Sequence, residues 1–439
     1  MADALSAEKG SFAAVTMDVA AGLDVLSASV ASGLELMAYW EQPQTGLAAA
    51  ALGCVAVRTA ADAASTHSLI ARLAGDDEVH WQGTPTDLGP WFGGVAFDLG
   101  RTPSGAWAGF PVSRWILPEL LLVRSGDRVQ LVGFAACPPD ALSGTFRDLA
   151  SKLGAVAPRL SGPARFRDTP GVRVQSEDRS GWEKLLQSAL RAINGERLQK
   201  VVTARAVRLE CGGPVPVPTV LNRFRQTSPG CTTFMVRGED GSAFLGATPE
   251  LLCAVDQERV ETVALGGSRL GEDPNWPTDK ELREHRAIVD GISLGLGPLC
   301  AELNVSLAPR ELRLPTLSHL HTPIRGKLRP EISVAEVVRA LHPTPAVGGA
   351  PRARALEFLR EQEGLERGWY AGAVGWVGAR RAELRVALRC VLVRNDLAQV
   401  FVGAGIVAGS DPTAEWNETV VKAQVALSAL GVVEVRRAS

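Results

Sequence analysis

Short apolar stretches bounded by turns alternate with stretches of helical periodicity, a pattern typical of a mixed α/β protein. In the first 158 residues the pattern predicts strands within 34–58, 91–98 and 115–134, the last as a hairpin around a Ser-Gly-Asp turn. Helical spacing is predicted at 59–73 and 140–153. This part of the chain carries no obvious chemistry.

The segment 160–174 is rich in glycine, proline and arginine and is the one convincing internal linker. The strands before it lack enough helices to cover a sheet of their own. We therefore expect both halves to contribute strands to one core, so that residues 1–439 form a single domain.

Charge and cysteine usage exclude several classes of protein. The net charge of −2 and the absence of a basic block argue against nucleic-acid binding. The seven cysteines are isolated and form no CxxC pair, which favours buried thiols in a reducing compartment over disulfides or zinc. The N-terminus does not resemble a signal peptide, and no apolar run reaches the length of a membrane span. A soluble, cytoplasmic protein is expected.

The clearest candidate site is the stretch from Phe401 to Leu430. A strand ends in the glycines Gly403 and Gly405, where backbone amides can approach a ligand closely. The following helix presents Glu418 and Lys422 on one face, a combination suited to a small anion and a cation. The alternative is a solvated i, i+4 ion pair. A dinucleotide site is excluded because too little chain follows for a βαβ unit.

Two further candidates are acid–base groups. Lys200 begins the apolar strand predicted at 198–210; it is either a snorkelling edge residue or a buried amine usable as a base. Glu250 lies in FLGATPELLCAV, predicted as a tight strand-turn-strand, and is either a solvated turn residue or a general acid.

Other polar residues could bind anions or a metal. A strand runs into Gly266-Gly267-Ser268, whose amides could face an anion. The helix opened by the Thr278–Glu281 capping box carries Glu284, which could share a hard cation such as Mg²⁺ with a carboxylate of the last helix. Arg389, in a strand predicted at 382–393, is either a surface residue or an anchor for a carboxylate.

Together these blocks resemble the chorismate-binding enzymes, which include isochorismate and salicylate synthases and the large subunits of anthranilate and aminodeoxychorismate synthases. The resemblance covers roughly 174–430. It is carried by FLGATPELL, LGGSRLGED, KELREH, HLHTP, LHPTPAVGGAP, GWYAGAVGW, LRC and FVGAGIVAGSDPTAEWNET. It implies one α/β domain of two stacked antiparallel sheets wrapped by helices, with a variable half at about 1–165 and a catalytic half at about 174–435.

The assignment to a subfamily depends on fewer residues. Members that add water to chorismate carry a lysine in a KVV strand, as in QKVV here, whereas members that add ammonia usually carry glutamine. HPTPAVGG is most similar to isochorismate synthases; salicylate synthases are the alternative, and an amidotransferase-dependent subunit is a weaker one. A non-catalytic chorismate-binding protein is disfavoured because the acid, the base and both metal carboxylates are present.

The resemblance also implies roles for individual residues. Lys200 would be the base and Glu250 the acid, and Mg²⁺ would be held by Glu284 and Glu418. Substrate contacts would come from the residues that match the family's binding motifs, namely Gly267, Ser268, His319, Ala346, Tyr370, Arg389, Gly403, Gly405 and Lys422.

One departure is Leu265-Gly266-Gly267-Ser268, where members usually have LAGT or LAGS; the change removes one methyl group and keeps the serine. No glutaminase partner is expected, and the chain would act as a monomer or homodimer.

Overall fold

The computed structural model describes residues 11–75, 78–176, 178–269, 271, 274–314 and 317–432. Strands dominate this part of the chain. They are β1 Ser11–Asp18, β2 Leu36–Gln42, β3 Leu47–Leu52, β4 Ala56–Ala60, β5 Glu78–Gln82, β6 Trp91–Val95, β7 Ser113–Leu117, β8 Leu120–Ser125, β9 Arg128–Ala136, β10 Val172–Ser176, β11 Lys200–Cys211, β12 Thr232–Arg237, β13 Ala243–Thr248, β14 Leu251–Asp256, β15 Arg259–Arg269, β16 Cys300–Val305, β17 Arg310–Arg313, β18 Ser318–Leu328, β19 Gly349–Ala350, β20 Ala373–Gly378, β21 Arg381–Val386, β22 Cys390–Arg394 and β23 Leu397–Ile406.

The helices follow amphipathic stretches. They are α1 Val25–Ser32, α2 Ala63–Leu73, α3 Leu142–Val156, α4 Arg179–Asn194, α5 Val217–Thr227, α6 Asp279–Leu296, α7 Val334–Leu341, α8 Arg352–Gln362 and α9 Pro412–Leu430. The predicted capping box opens α6, where Glu281 accepts a hydrogen bond from the Thr278 amide at 2.9 Å. Asp411 caps α9, and Gly431 ends it in the left-handed region. Among the described helices, none combines the length and the apolar character that crossing a membrane requires.

The strands form two sheets. The larger has the order β10-β11-β23-β22-β13-β12-β2-β3-β8-β9-β1-β5, with β19 beside β11, and the smaller has the order β16-β18-β15-β14-β21-β20-β6-β7-β4, with β17 beside β18. The predicted fold class, two stacked sheets wrapped by helices, is confirmed. The sheets are antiparallel apart from the pair β1 and β5, which is parallel.

Each half of the chain supplies a contiguous block of strands to both sheets, and the blocks meet at β12–β2 and at β20–β6. One apolar core fills the space between the sheets and includes Trp107, Phe244 and Trp369. A second core lies between the larger sheet and helices such as α3, α5 and α9. Six of the cysteines are buried and all seven are free thiols, but Cys54 is exposed, contrary to the expectation of uniformly buried thiols.

Two predicted segments change sheet within their length, which the sequence did not indicate. The segment 244–255 forms the predicted strand-turn-strand, but β13 belongs to the larger sheet and β14 to the smaller one. The segment 382–393 likewise splits into β21 in the smaller sheet and β22 in the larger one. At 115–134 only β8 and β9 form the predicted hairpin, whereas β7 lies in the other sheet. Apolar alternation predicts strands but does not indicate a change of sheet.

Candidate active site

Two of the crossings between sheets in the second half, from β13 to β14 and from β21 to β22, place Glu250 and Arg389 at one pocket. Glu250 lies between β13 and β14, and Arg389 lies between β21 and β22 with φ +49°. The Val386 amide donates to the Glu250 carbonyl at 3.1 Å, and the Ala247 amide donates to the Arg389 carbonyl at 3.3 Å. Backbone hydrogen bonds therefore join the two crossings, and both side chains line one pocket whose empty space, including the part open to solvent, is about 760 Å³.

The pocket brings together most of the predicted site residues. Its lining includes Glu250, Ser268, Glu284, His319, Ala346, Tyr370, Arg389, Gly403, Gly405 and Lys422. Lys200 lies directly behind the lining, bonded to Glu284. Gly267 and Glu418 are not part of the lining; Gly266 lines the pocket in place of Gly267, whose φ of +68° turns the strand at this point.

Lys200 is a buried amine, only 1% exposed, and its Nζ donates to Glu284 Oε1 at 3.0 Å. A Cβ at Gly405 would lie 2.6 Å from Glu284 Oε1 and 3.0 Å from Lys200 Cε. A glycine is therefore needed at 405 for the pair to form against β23. The alternative of a snorkelling edge lysine does not fit this burial.

Glu250 is a buried carboxyl, 3% exposed, which accepts a hydrogen bond from Thr344 Oγ1 at 3.3 Å. Burial raises its pKa to about 7, although the charges of Lys200 and Lys422 act in the opposite direction. A carboxyl with this pKa retains a substantial protonated fraction at neutral pH, as a general acid requires.

Arg389 is a buried cation, 8% exposed, and among the described residues it forms no ion pair with a carboxylate. Its guanidinium contacts His319 Nε2 at 3.2 Å and Cys231 Sγ at 3.7 Å. Burial lowers its pKa from the ordinary arginine value, a sign that its charge is incompletely compensated by the protein. The surface alternative for Arg389 is thus inconsistent with the structure.

Helix α9 supplies a second cation and further carboxylates. Lys422 Nζ donates to the Gly403 carbonyl at 3.1 Å and to Glu418 Oε1 at 2.5 Å. Glu415, which is buried, pairs with Lys280 at 2.8 Å, and burial together with the Glu418 charge raises the pKa of Glu415. The i, i+4 pair considered in the sequence exists, but its ammonium also reaches the pocket.

The carboxylates fit a magnesium ion by their chemistry. No cluster of three or more His, Cys, Asp or Glu side chains with metal-ligand geometry occurs in the described ranges. Glu284, Glu415 and Glu418 are nevertheless close enough to raise the pKa of Lys280 together, against the effect of its burial. Mg²⁺ commonly takes one or two protein carboxylates and keeps its waters, so Glu284 and Glu418 are a sufficient donor set.

Apolar groups and one tyrosine complete the wall. Tyr370 is buried and stacks on Phe401, with ring centroids 5.4 Å apart and an interplanar angle of 17°. Burial raises the pKa of Tyr370, so its hydroxyl stays protonated. Ala346 lies beside Val347 in the loop before β19.

Three polar contacts were not anticipated from the sequence. Thr344 lies within the proline-rich loop LHPTPAVGGAP, and Cys231 has no local sequence signal beyond that of an isolated thiol. The third is the buried Arg367–Glu363 pair; Arg367 donates to the carbonyls of Val202 at 2.6 Å and Val347 at 3.0 Å. A hydroxyl in a stiff loop could have signalled Thr344, but the other two depend on contacts distant in sequence.

A family profile described as chorismate binding enzyme matches residues 2–431. The chain belongs to this family, as the sequence motifs predicted. The salicylate biosynthesis isochorismate synthase of Pseudomonas aeruginosa is 32% identical over 422 residues, covering 90% of this chain and 85% of that protein.

Two solved structures share the fold. The menaquinone-specific isochorismate synthase MenF of Escherichia coli matches with a TM-score of 0.79 and 25% identity, over 96% of this chain and 95% of that chain. Anthranilate synthase component I of Streptococcus pneumoniae matches with a TM-score of 0.72 and 22% identity, over 89% and 93%. The second likeness supports the fold alone.

Proposed function

We propose that this protein is an isochorismate synthase, an isomerase that reversibly converts chorismate to isochorismate. The observation that carries the proposal is a buried amine, Lys200, and a buried carboxyl of raised pKa, Glu250, at one pocket that also contains two cationic side chains. The similarity to proteins named as isochorismate synthases supports it.

The reaction needs one group to accept a proton and another to donate one, because water is a poor nucleophile and hydroxide a poor leaving group. Lys200, acting as the base, takes a proton from the water that attacks C2. The new C2–O bond forms, the double bonds shift, and the C4–O bond breaks. Glu250 protonates the departing hydroxyl, which leaves as water, so that Lys200 ends as the ammonium and Glu250 as the carboxylate.

Chorismate carries two carboxylates, which the pocket must neutralise. Arg389 and Lys422 supply positive charge, and the amides near Gly403 and Gly405 supply hydrogen bonds to the enolpyruvyl carboxylate. Ser268 would contact the ring side of the substrate, with the Gly267 backbone and His319 next to it, while Tyr370 and Ala346 would shape the wall.

Glu284 and Glu418 would hold Mg²⁺, which when bound supplies positive charge for the ring carboxylate of the substrate. Calorimetric titration with Mg²⁺ tests these two residues without turnover. We expect Glu418→Gln to weaken Mg²⁺ binding by at least about tenfold. An unchanged affinity in that variant would remove Glu418 from the metal site.

The defining experiment is incubation of the purified protein with chorismate and Mg²⁺, without ammonia, followed by chromatography. We expect a mixture of chorismate and isochorismate, and far slower formation of isochorismate by Lys200→Ala. Salicylate and pyruvate would instead indicate a salicylate synthase. Anthranilate or aminodeoxychorismate, formed only after ammonia is added, would show that the role of Lys200 is wrong. A cytoplasmic location, the monomer or homodimer state and independence from a glutaminase stay predictions.

A further inference from the structure

His319 and Ser268 face each other across two paired strands at the edge of the pocket. They are register partners of β18 and β15, directly after the irregularity at Gly266. The two ring nitrogens of His319 have different neighbours: Nδ1 lies 3.1 Å from Ser268 Oγ, and Nε2 lies 3.2 Å from Arg389 Nη2. The buried imidazole therefore bridges a hydroxyl and a guanidinium.

The proton on this ring can be assigned from its neighbours. A guanidinium has only hydrogen-bond donors, so Nε2 must act as the acceptor. A proton on Nε2 would leave two hydrogen-bond donors facing each other in a buried site. Neither donor would have an acceptor, so the full free-energy cost of two unmade hydrogen bonds would apply. Burial and the positive charges of Arg389 and Lys422 also hold the pKa of His319 well below its ordinary value. The ring is thus neutral and carries its proton on Nδ1.

This assignment determines what the serine does. Nδ1–H donates to Ser268 Oγ, so one lone pair of that oxygen is used and its own hydrogen must point elsewhere. Among the described residues, the Ser268 hydroxyl has no other hydrogen-bond partner, and Ser268 lines the pocket. The hydroxyl hydrogen can therefore point into the space that the substrate would fill.

We propose that His319 is a positioning residue, neutral and protonated on Nδ1, which makes the Ser268 hydroxyl a hydrogen-bond donor to an oxygen of the bound substrate. The identity of that substrate depends on the function proposed above. In this arrangement His319 neither gives nor takes a proton during the reaction, and Glu250 alone serves as the acid.

Nitrogen NMR of the full chain labelled on histidine tests the assignment without turnover. His319→Gln identifies the signals of this ring among the six histidines. Between pH 6 and 8 we expect Nδ1 to show a protonated shift and Nε2 an unprotonated one. The reverse pattern, or two protonated nitrogens, would overturn the proposal.

Substitutions test the role. A glutamine amide can accept from Arg389 with its oxygen and donate to Ser268 with its nitrogen, whereas leucine can do neither. We expect His319→Gln to lose less than about tenfold in kcat/KM and His319→Leu to lose about a hundredfold or more, corresponding to the loss of several hydrogen bonds. Equal, severe losses in both variants would indicate proton transfer by His319 and contradict the proposal.

Ser268 provides the matched pair of variants. Ser268→Ala should raise KM for chorismate by about tenfold, the effect of one hydrogen bond, and Ser268→Thr should restore it because the hydroxyl is kept. The control is His321→Leu, which replaces another histidine of β18 that does not line the pocket. If the wild type forms no isochorismate, the proposed function fails; if it does but Ser268→Ala binds chorismate normally, only this inference fails.

Discussion

Two polar clusters of this protein, one half-buried and one buried, differ in how completely their charges are paired. The first, the Arg225 cluster, consists of Asp24, Tyr39, Glu41, Arg124 and Arg225. Arg225 binds Asp24 at 2.6 Å and also pairs with Glu41, which accepts further hydrogen bonds from Tyr39 at 2.8 Å and Arg124 at 3.2 Å. Each charge in this cluster has a partner of opposite sign.

The pocket cluster is formed by Lys200, Glu250, His319 and Arg389, and its pairing is incomplete. Arg389 is more deeply buried than Arg225, but among the described residues only a histidine and a thiol contact its guanidinium. Glu250 is buried with a threonine hydroxyl as its hydrogen-bond donor. A buried charge with complete partners stabilises a fold, whereas one left with polar but uncharged partners is available to a ligand.

The largest effect is expected from removal of Lys200, the proposed catalytic base of the pocket cluster. Lys200→Ala should lower kcat by about 10²–10⁴-fold, the range for loss of an acid–base group, while chorismate binding changes little. Product chromatography measures turnover, and calorimetry measures binding. Normal turnover in Lys200→Ala would refute the role of Lys200, provided that thermal unfolding shows the variant to be folded.

Loss of the acid should have the next largest effect. Because burial raises the pKa of Glu250 to about 7, kcat/KM should fall as pH rises above about 7 and the carboxyl loses its proton. Glu250→Gln should lower kcat by about 10²-fold or more and remove this dependence on pH. The same decline above pH 7 in the residual activity of Glu250→Gln would assign it to another group.

Replacing the buried cation should mainly affect binding. Arg389→Lys keeps a positive charge but loses the planar fork that can contact His319 and a carboxylate at once. We expect KM for chorismate to rise by about 10- to 100-fold, with a smaller change in kcat. Steady-state kinetics separate the two, and a loss confined to kcat would argue against an anchoring role.

The smallest effect on turnover is expected in the fully paired cluster. Arg225→Met removes the partner of Glu41, which is buried, and of Asp24, whose side chain is 37% exposed. It should lower the free energy of unfolding by about 2 kcal/mol, with kcat/KM unchanged. Denaturant unfolding measures the loss, and Arg128→Met, whose pair with Asp18 lies on the surface, is the control with little expected change. A large kinetic defect in Arg225→Met would undo the distinction between the clusters.

The sequence was most informative about local structure and ordered motifs. Helix α6 begins where its capping box predicts, and α2 and α3 overlap the predicted helical segments 59–73 and 140–153. Most predicted site residues also meet at one pocket, because the family motifs identify residues that are distant along the chain.

What the sequence could not provide depends on long-range geometry. The turn at Glu250 and the strand pattern through Arg389 were visible in the sequence, but neither pattern indicates that the chain passes from one sheet to the other. The acceptor role of His319 likewise depends on Arg389, seventy residues further along the chain. Cys231 and Arg367 act through contacts that no local pattern reveals.

The way the two halves meet has a consequence for dividing the protein. Cutting the chain in the segment 162–171 would separate β2 from β12 and β6 from β20, opening two hydrogen-bonding edges on each fragment. These edges are interior strands whose residues are mostly buried in the whole chain, such as Phe234 and Trp40. They contain no proline and only two charged residues, Glu41 and Arg237, so they have little of the protection of natural edges. Each fragment would expose strand edges whose hydrogen-bonding partners lie, in matching register, on the other fragment. The first half is therefore the structural complement of the half that carries the pocket.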